Sequence, residues 1–533
     1  MAHPSMGARE KAKTFYSLVS ERRVNASSIH SPERTTRTKG FPPRNSTSNT
    51  FYITTTLPYV NAPLHLGHAT EIIRADTIAR YKKLVGFDVF FNTGTDEHGM
   101  KIFEAAQKAG KGVQQFVDEY SALYKETLQK FGVSPDAHYI RTTDVHHIAA
   151  AQEFWKHCDK NGFIYKKEYQ AKYCIGCEEE KTDSELVNGK CPIHDRVPEL
   201  INEENYFFKL SAFGDKVIAL YDSNPGLVVP GYRLNELREF IKRGLRDFSI
   251  SRLKKKLPWG IPVPDDDSQV MYVWFDALVN YISTLGWPDE KGDFKKYWVN
   301  GAPTQYCGKD NTRFQGLMWQ AMLMAAGISP TRTIVVDGFI LAEGGGKMSK
   351  TLGNVVEPLD IVNEYGTDTL RYFVLREFHP FEDTAVSKEK FKEWYNANLV
   401  NGLGNLVSRI MKMAISYNVS FSKESALWFS RTIEMDSYHQ RHKGFLDSYN
   451  IQEAANVVWE AISAADNFIQ KQEPFKKIKS DRNVAEEDIK QLMSRLYFIA
   501  MMIEPFMPET SKKIQDLIRE NKMPSVPLFP RKE

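Results

Sequence analysis

The sequence predicts an α/β protein: a parallel, doubly wound sheet interrupted by an insertion and followed by a bundle of helices. Three observations carry this. Two apolar, β-prone runs, Phe51–Thr56 and Asp88–Thr93, flank a helical pattern over His65–Leu84, which makes a βαβ unit. A long stretch of different character, holding three of the five cysteines, then separates that unit from renewed strand patterns at Val270–Trp274 and Thr333–Asp337. From Ser387 onward, Phe391–Ser416, Gln452–Lys471 and Glu486–Met502 repeat apolar residues at three- and four-residue steps, the mark of packed helices.

Taken in order, residues 1–49 hold nine Lys/Arg and three Asp/Glu, so the rest of a chain of net charge +3 is slightly acidic. This segment reads as a disordered basic tail, as sequence upstream of the true start, or as an organellar transit peptide, which shares its composition. Helical patterns at 112–131 and 146–161 follow the βαβ unit. Thr95–Gly99 and Tyr306–Asp310 fall at strand ends, where such sheets place ligands. The expected division is therefore 1–49 tail, 50–140 first half of the sheet domain, 141–265 insertion, 266–330 second half, 331–386 linker domain with a lysine loop, and 387–533 bundle.

Composition, with 42% hydrophobic and 26% charged residues, is that of a globular protein. No run of about 18 apolar residues predicts a membrane helix, and a net charge of +3 leaves any nucleic-acid partner to local basic patches. Five cysteines in so long a chain do not make a disulfide framework. The spacing Cys174-x₂-Cys177-x₁₃-Cys191-x₂-His194 is instead that of two knuckles offering three thiolates and one imidazole to zinc; a chance cysteine cluster is the alternative. A closed four-ligand site of this kind is structural and leaves no open position for substrate.

The chemistry is concentrated in two elements. His65-Leu66-Gly67-His68 opens a helix just after a strand and a Pro-bracketed turn, where unpaired N–H groups and the helix dipole favour phosphate. Gly67 lets a flat base approach the backbone. Far downstream, Gly344–Gly346 leads into Lys347-Met348-Ser349-Lys350-Thr351, a loop able to bring two cations onto a polyphosphate. Together they suggest ATP held for chemistry at its phosphates.

This pair is similar to the two signatures of class I aminoacyl-tRNA synthetases, and over nearly all of residues 50–533 the chain resembles the methionyl-tRNA synthetase family of bacterial type. The resemblance implies a Rossmann-like catalytic domain, a zinc-bearing insertion near the tRNA acceptor end, and an anticodon-binding bundle. It implies methionine and ATP as substrates, methionyl-adenylate as intermediate, and transfer to tRNA(Met). The attacking carboxylate is ionised at neutral pH, so positioning and charge neutralisation are the catalytic tasks. His65 and His68 would donate to phosphate oxygens, Lys347 and Lys350 would follow the departing phosphates, and Mg²⁺ would accompany ATP. Asp96 matches the position that binds the methionine ammonium. Leu57, Tyr59, Trp274, Ala277 and Tyr281 match its pocket, and aromatic edges suit a thioether.

Two departures bear on that pocket. Gln315 replaces the family's histidine in Gly308-Lys309-Asp310-Asn311-Thr312-Arg313-Phe314-Gln315, and Leu278 stands where proline is common. Arg252 matches an arginine near the active site, whereas Lys254–Lys256 reads as a solvated charge run. In the bundle, Asn405 and Arg409 share a helix face and match contacts to the wobble base. Phe475, after Pro474, stands where tryptophan is frequent and would stack a splayed base; the alternative is a ring buried at a capped helix end. A catalytically inactive tRNA- or nucleotide-binding paralogue is the competing reading, with Gln315 its sole support. A monomer in the cytoplasm is expected, or in an organelle matrix if residues 1–49 are a transit peptide.

Overall fold

The computed structural model describes residues 49–346, 348, 355–422 and 433–532. The tail reading for 1–49 therefore lies outside the described residues, Asn49 excepted. So do Lys347 and Lys350. The chain forms two compact units, each discontinuous in sequence.

The first unit, built from segments before Val336, carries a six-stranded sheet. Its strands are β1 (Thr50–Thr54), β2 (Asp88–Thr95), β3 (His138–Arg141), β4 (Val228–Val229), β5 (Ala302–Gly308) and β6 (Thr333–Asp337), in spatial order β3-β2-β1-β5-β6-β4. The pairings of β1 with β2 and β5, of β2 with β3 and of β6 with β4 are parallel, Ile53 facing Phe91 and Thr304. The order reverses between β1 and β5, and the loops leaving strands there form a topological switch point. This Rossmann-like arrangement is what the βαβ pattern predicts. Phe51, Tyr52 and Ile53 of β1 are all buried, which explains their unbroken apolar run.

A separate four-stranded sheet in the same unit pairs Ile164–Cys174 antiparallel to Glu179–Lys181 and Glu199–Phe208, the last also to Phe248–Ser249. The expected strand Val270–Trp274 is corrected. A strand over Asp266–Met271 ends three residues earlier, in an antiparallel three-stranded sheet, and Val273–Ala277 is helical. Val270, Met271, Tyr272 and Val273 are all buried, and a short fully apolar run does not distinguish strand from buried helix.

The second unit joins residues 65–81 and 127–133 to the described residues from Asp337 onward. Its first member is most of α1 (Leu66–Leu84), which is buried nearly all round: Ala69, Ile72, Ile73, Ala75, Ile78 and Ala79, but also Arg74, Asp76 and Thr77. A helix so enclosed must find partners for its charges inside. Arg74 meets Asp337 at 3.1 Å and donates to the carbonyls of Val374, Phe378, His379 and Pro380. Arg371 reaches Asp76 at 2.8 Å and the carbonyls of Pro505 and Phe506.

The predicted helices of this unit are present as Asn405–Ser416, Ile451–Gln472 and Arg482–Met502, all with buried apolar stripes. The first is preceded by a π-helical stretch, Tyr395–Gly404, that apolar spacing did not reveal.

Candidate active site

At the carboxyl edge of β1 and β2, backbone pairing continues past the strands. Tyr59 and Asp96 form an isolated parallel bridge; Asp96 N–H donates to the Pro58 carbonyl at 3.0 Å and Val60 N–H to that of Asp96 at 3.3 Å. The two carboxylates of Asp96-Glu97 then diverge. Glu97 is saturated: Arg141 donates to it twice, at 2.7 and 2.9 Å, and Thr95 at 2.7 Å. Asp96 is only 3% exposed and has no ion pair among the described residues. Burial, reinforced by the nearby Asp276, pushes its carboxyl well above the usual carboxylate range. A buried acid in that state gains strongly from an incoming cation.

Aromatic rings surround this edge. The Trp274 ring stacks on Phe314 at 3.9 Å and meets the ring of Tyr59 edge-on at 6.5 Å. Gln315, fully buried, donates from Nε2 to Thr56 Oγ1 at 3.0 Å. Leu57, Ala277 and Tyr281 are buried in the same unit, with Ala277 one turn after Trp274. Tyr59 Oη, Trp274 Nε1 and Gln315 Oε1 are buried atoms without a hydrogen-bond partner among the described residues. Unsatisfied polar atoms cost free energy unless a ligand or water completes them. Leu278, 2% exposed, fills its place as an apolar residue.

The His65–His68 turn belongs to the second unit. The imidazoles stack at 3.6 Å between centroids, and each Nδ1 lies 3.3–3.4 Å from the other residue's backbone N–H. Acceptance at Nδ1 places the ring proton on Nε2, making each ring a donor away from the helix. A Cβ on Gly67 would stand 3.0 Å from the His65 ring, so a larger residue there would press on the stacked pair.

The four knuckle residues are brought together in the first unit. Their ligand atoms all lie within 4.8 Å of one another; Cys177 Sγ is 3.5 Å from Cys191 Sγ and 3.3 Å from His194 Nδ1. A tetrahedral zinc with bonds of about 2.0–2.3 Å needs ligand separations near these values. Cys158 and Cys307 are buried elsewhere, and all five cysteines are free thiols.

Comparison with known proteins decides the family. A family model described as tRNA synthetases class I (M) matches residues 51–194 and 175–411, and one described as the anticodon binding domain of methionyl tRNA ligase matches 422–527. The chain belongs to the methionine–tRNA ligase family. It is 40% identical to the Caldanaerobacter subterraneus methionine–tRNA ligase over 87% of this chain and 73% of that one. It is 38% identical to that of Mesorhizobium japonicum over 88% and 91%. The Mycobacterium tuberculosis methionyl-tRNA synthetase solved in complex with methionyl-adenylate superposes with a TM-score of 0.82 at 33% identity, covering 90% of this chain and all of that one.

Within the helical region of this ligase-family member, Arg409, Lys412, Met413, Ser416, Tyr417, Ile469 and Phe475 line a cavity of about 250 Å³. Arg409 is ion-paired with Asp466. Phe475 is 40% exposed, which does not fit a residue buried at a capped helix end. Asn405, exposed one turn before Arg409, is not among the lining residues. Lys412 and Tyr417 escaped the sequence reading, although Lys412 follows Arg409 by three residues on the same helix and Tyr417 caps that helix at its C-terminus. Arg252 is buried between the rings of Tyr173 and Tyr272, at 4.7 and 4.8 Å. Among the described residues no helix is long and apolar enough to cross a membrane.

Proposed function

We propose that this chain joins methionine to ATP, forming methionyl-adenylate and diphosphate, and then transfers the methionyl group to tRNA(Met). The observation that carries the amino-acid half is Asp96: a buried carboxylate, driven toward neutrality, beside an aromatic group with unsatisfied donors. An α-ammonium supplies the missing cation, and the Tyr59, Trp274 and Phe314 rings offer edges and faces to a thioether. Leu57, Ala277 and Tyr281 complete the apolar slot, with Gln315 standing in for the family's histidine.

His65 and His68 donate from Nε2 to phosphate oxygens at the start of α1, where the helix dipole adds to their effect. Lys347 and Lys350 neutralise the departing diphosphate, and Mg²⁺ enters with the nucleotide. Cys174, Cys177, Cys191 and His194 hold one zinc ion, which stabilises the fold of its segment. The Arg409–Phe475 cavity takes an anticodon base: Phe475 stacks, while Arg409, with Asn405, reads the edge. The division into tail, split sheet domain, insertion, linker and bundle follows these roles. Free thiols throughout favour a reducing compartment such as the cytoplasm.

The deciding experiment is ATP–diphosphate exchange by the purified chain with each of the twenty amino acids, without tRNA. Exchange with methionine alone, lost in Lys350→Ala, is expected. Absence of exchange from folded, zinc-loaded protein restores the inactive-paralogue reading, and exchange with another amino acid removes methionine as the substrate.

A further inference from the structure

The loop carrying Asp96 runs directly into a helix, α2 (Met100–Lys108), whose N-cap residue is Gly99. Gly99 adopts φ 104°, a conformation open to glycine, and has no side chain with which to cap the exposed N–H groups of the first turn. The cap comes from far along the chain. Lys101 N–H donates at 2.9 Å to Glu178 Oε1. A Cβ on Gly99 would stand 3.1 Å from the same oxygen, so the carboxylate is seated against the helix start.

Glu178 follows the second knuckle cysteine. Its own N–H donates to the Ile175 carbonyl at 3.2 Å, just after Cys177 N–H closes the Cys174–Cys177 turn on the Cys174 carbonyl at 3.2 Å, and its φ of 54° is one that non-glycine residues rarely adopt. The side chain is only 2% exposed. Its second oxygen accepts from Tyr173 Oη, and its carbonyl accepts from Tyr272 Oη. Those two tyrosines bracket the Arg252 guanidinium, which places a counter-charge nearby. Lys101 carries the link onward: its Nζ lies over the Tyr59 ring at 5.0 Å. One carboxylate thus touches the helix behind the Asp96 loop and holds the residue whose ammonium covers Tyr59.

We propose that Glu178 is a positioning residue for amino-acid binding, capping α2 from the metal knuckle so that the knuckle's fold sets the pose of Asp96 and Tyr59. The inference rests on the assignment of Asp96 and Tyr59 to the methionine site. Zinc held by the knuckle would favour methionine binding by keeping the 174–178 turn closed and this cap in place. The proposal extends the knuckle's role from local folding to the tuning of a substrate site.

The test compares wild type, Glu178→Ala and Glu178→Gln, measuring methionine Kd by calorimetry, KM for methionine and for ATP, bound zinc, and melting temperature. Glu178→Ala is expected to raise methionine Kd and KM by roughly threefold to thirtyfold, the loss of one helix cap. KM for ATP and zinc content are expected to stay at the wild-type values. Glutamine keeps an acceptor oxygen and is expected to recover most of the affinity. Zinc removal by chelation is expected to weaken methionine binding in wild type and to add little in Glu178→Ala, because both act through the same contact. Wild-type methionine affinity in Glu178→Ala overturns the proposal and leaves the methionine site standing. Equal losses toward ATP and methionine, with a lowered melting temperature and no rescue by glutamine, reduce Glu178 to a structural residue. If wild type itself binds no methionine, the site assignment and this proposal fall together.

Discussion

Asp96 in the first unit and Asp76 in the second are both buried, 3% and 0% exposed, yet they are treated in opposite ways. Asp76 takes Arg371 at 2.8 Å and Arg80 at 2.7 Å, and Arg371 spends its remaining N–H groups on carbonyls and on Thr77. Asp96 takes no cation among the described residues. Asp337 is intermediate: burial raises its carboxyl, but the opposing Arg74 guanidinium limits the rise to about 6. A buried carboxylate with its counter-ion supplied by the chain is scaffold. One left without it among the described residues, at the carboxyl edge of a parallel sheet, is what the proposed methionine site uses to receive an ammonium.

Substitutions should separate the two kinds. The largest effect is expected from Arg371→Ala, which takes one arginine from Asp76 and strands several buried carbonyls; a loss of about 3–5 kcal/mol follows, read as a lower denaturation midpoint. Asp96→Asn should do the reverse. Removing a charge that the fold does not compensate leaves the midpoint unchanged or raises it. Methionine binding meanwhile weakens by about 2–5 kcal/mol, as for a buried charge pair that loses one partner, measurable by calorimetry. A stability loss in Asp96→Asn as large as in Arg371→Ala would erase the distinction.

The pH dependence sharpens it. Burial raises the Asp96 carboxyl above its unfolded value, so its contribution to stability is full below the ordinary carboxylate range and is lost as pH rises through the raised value. The ionised form is the one that meets an ammonium. Methionine affinity is therefore expected to rise with pH over the same interval, and that slope should vanish in Asp96→Asn, as titration calorimetry at several pH values would show.

The smallest of these effects belongs to the exposed ring. Phe475→Ala should cost about 1–3 kcal/mol of tRNA affinity, the worth of one base stack. It should leave methionine-dependent ATP–diphosphate exchange as in wild type, which filter binding and exchange assays would show together.

Much of the fold was legible in the sequence because its signals are local. The βαβ runs, the helix periods of the bundle and the CxxC and CxxH spacings each depend on a few neighbouring residues. Val270–Trp274 was misread because the unbroken burial of Val270, Met271, Tyr272 and Val273 removes the periodicity that separates strand from helix. Residues 65–81 read as part of a sheet domain, yet cluster with the later unit; only long-range pairs such as Arg74–Asp337 reveal this, and Arg74 looks in sequence like any helix-surface charge. Asp96, Tyr59 and Trp274 were singled out by resemblance. Glu178 was not, since a glutamate beside a knuckle cysteine resembles ordinary surface charge until its distance to Lys101 is known. Lys412 and Tyr417 were missed because helical spacing does not say which face borders a cavity.

The interior arginines also set a schedule for synthesis. Arg371 donates to Thr77, 294 positions earlier in the chain. At about 5–20 residues per second, the ribosome delivers α1, with Asp76 and Arg80 on the same helix, tens of seconds before Arg371 can join them. Through that interval the nascent helix carries an acid and an arginine on a surface destined for the interior, so α1 can settle only after most of the chain has emerged. A fragment beginning at Asp337 would inherit the opposite defect: Arg371 shaped for the inside with no Asp76 to receive it, and Asp337 with no Arg74 to face it.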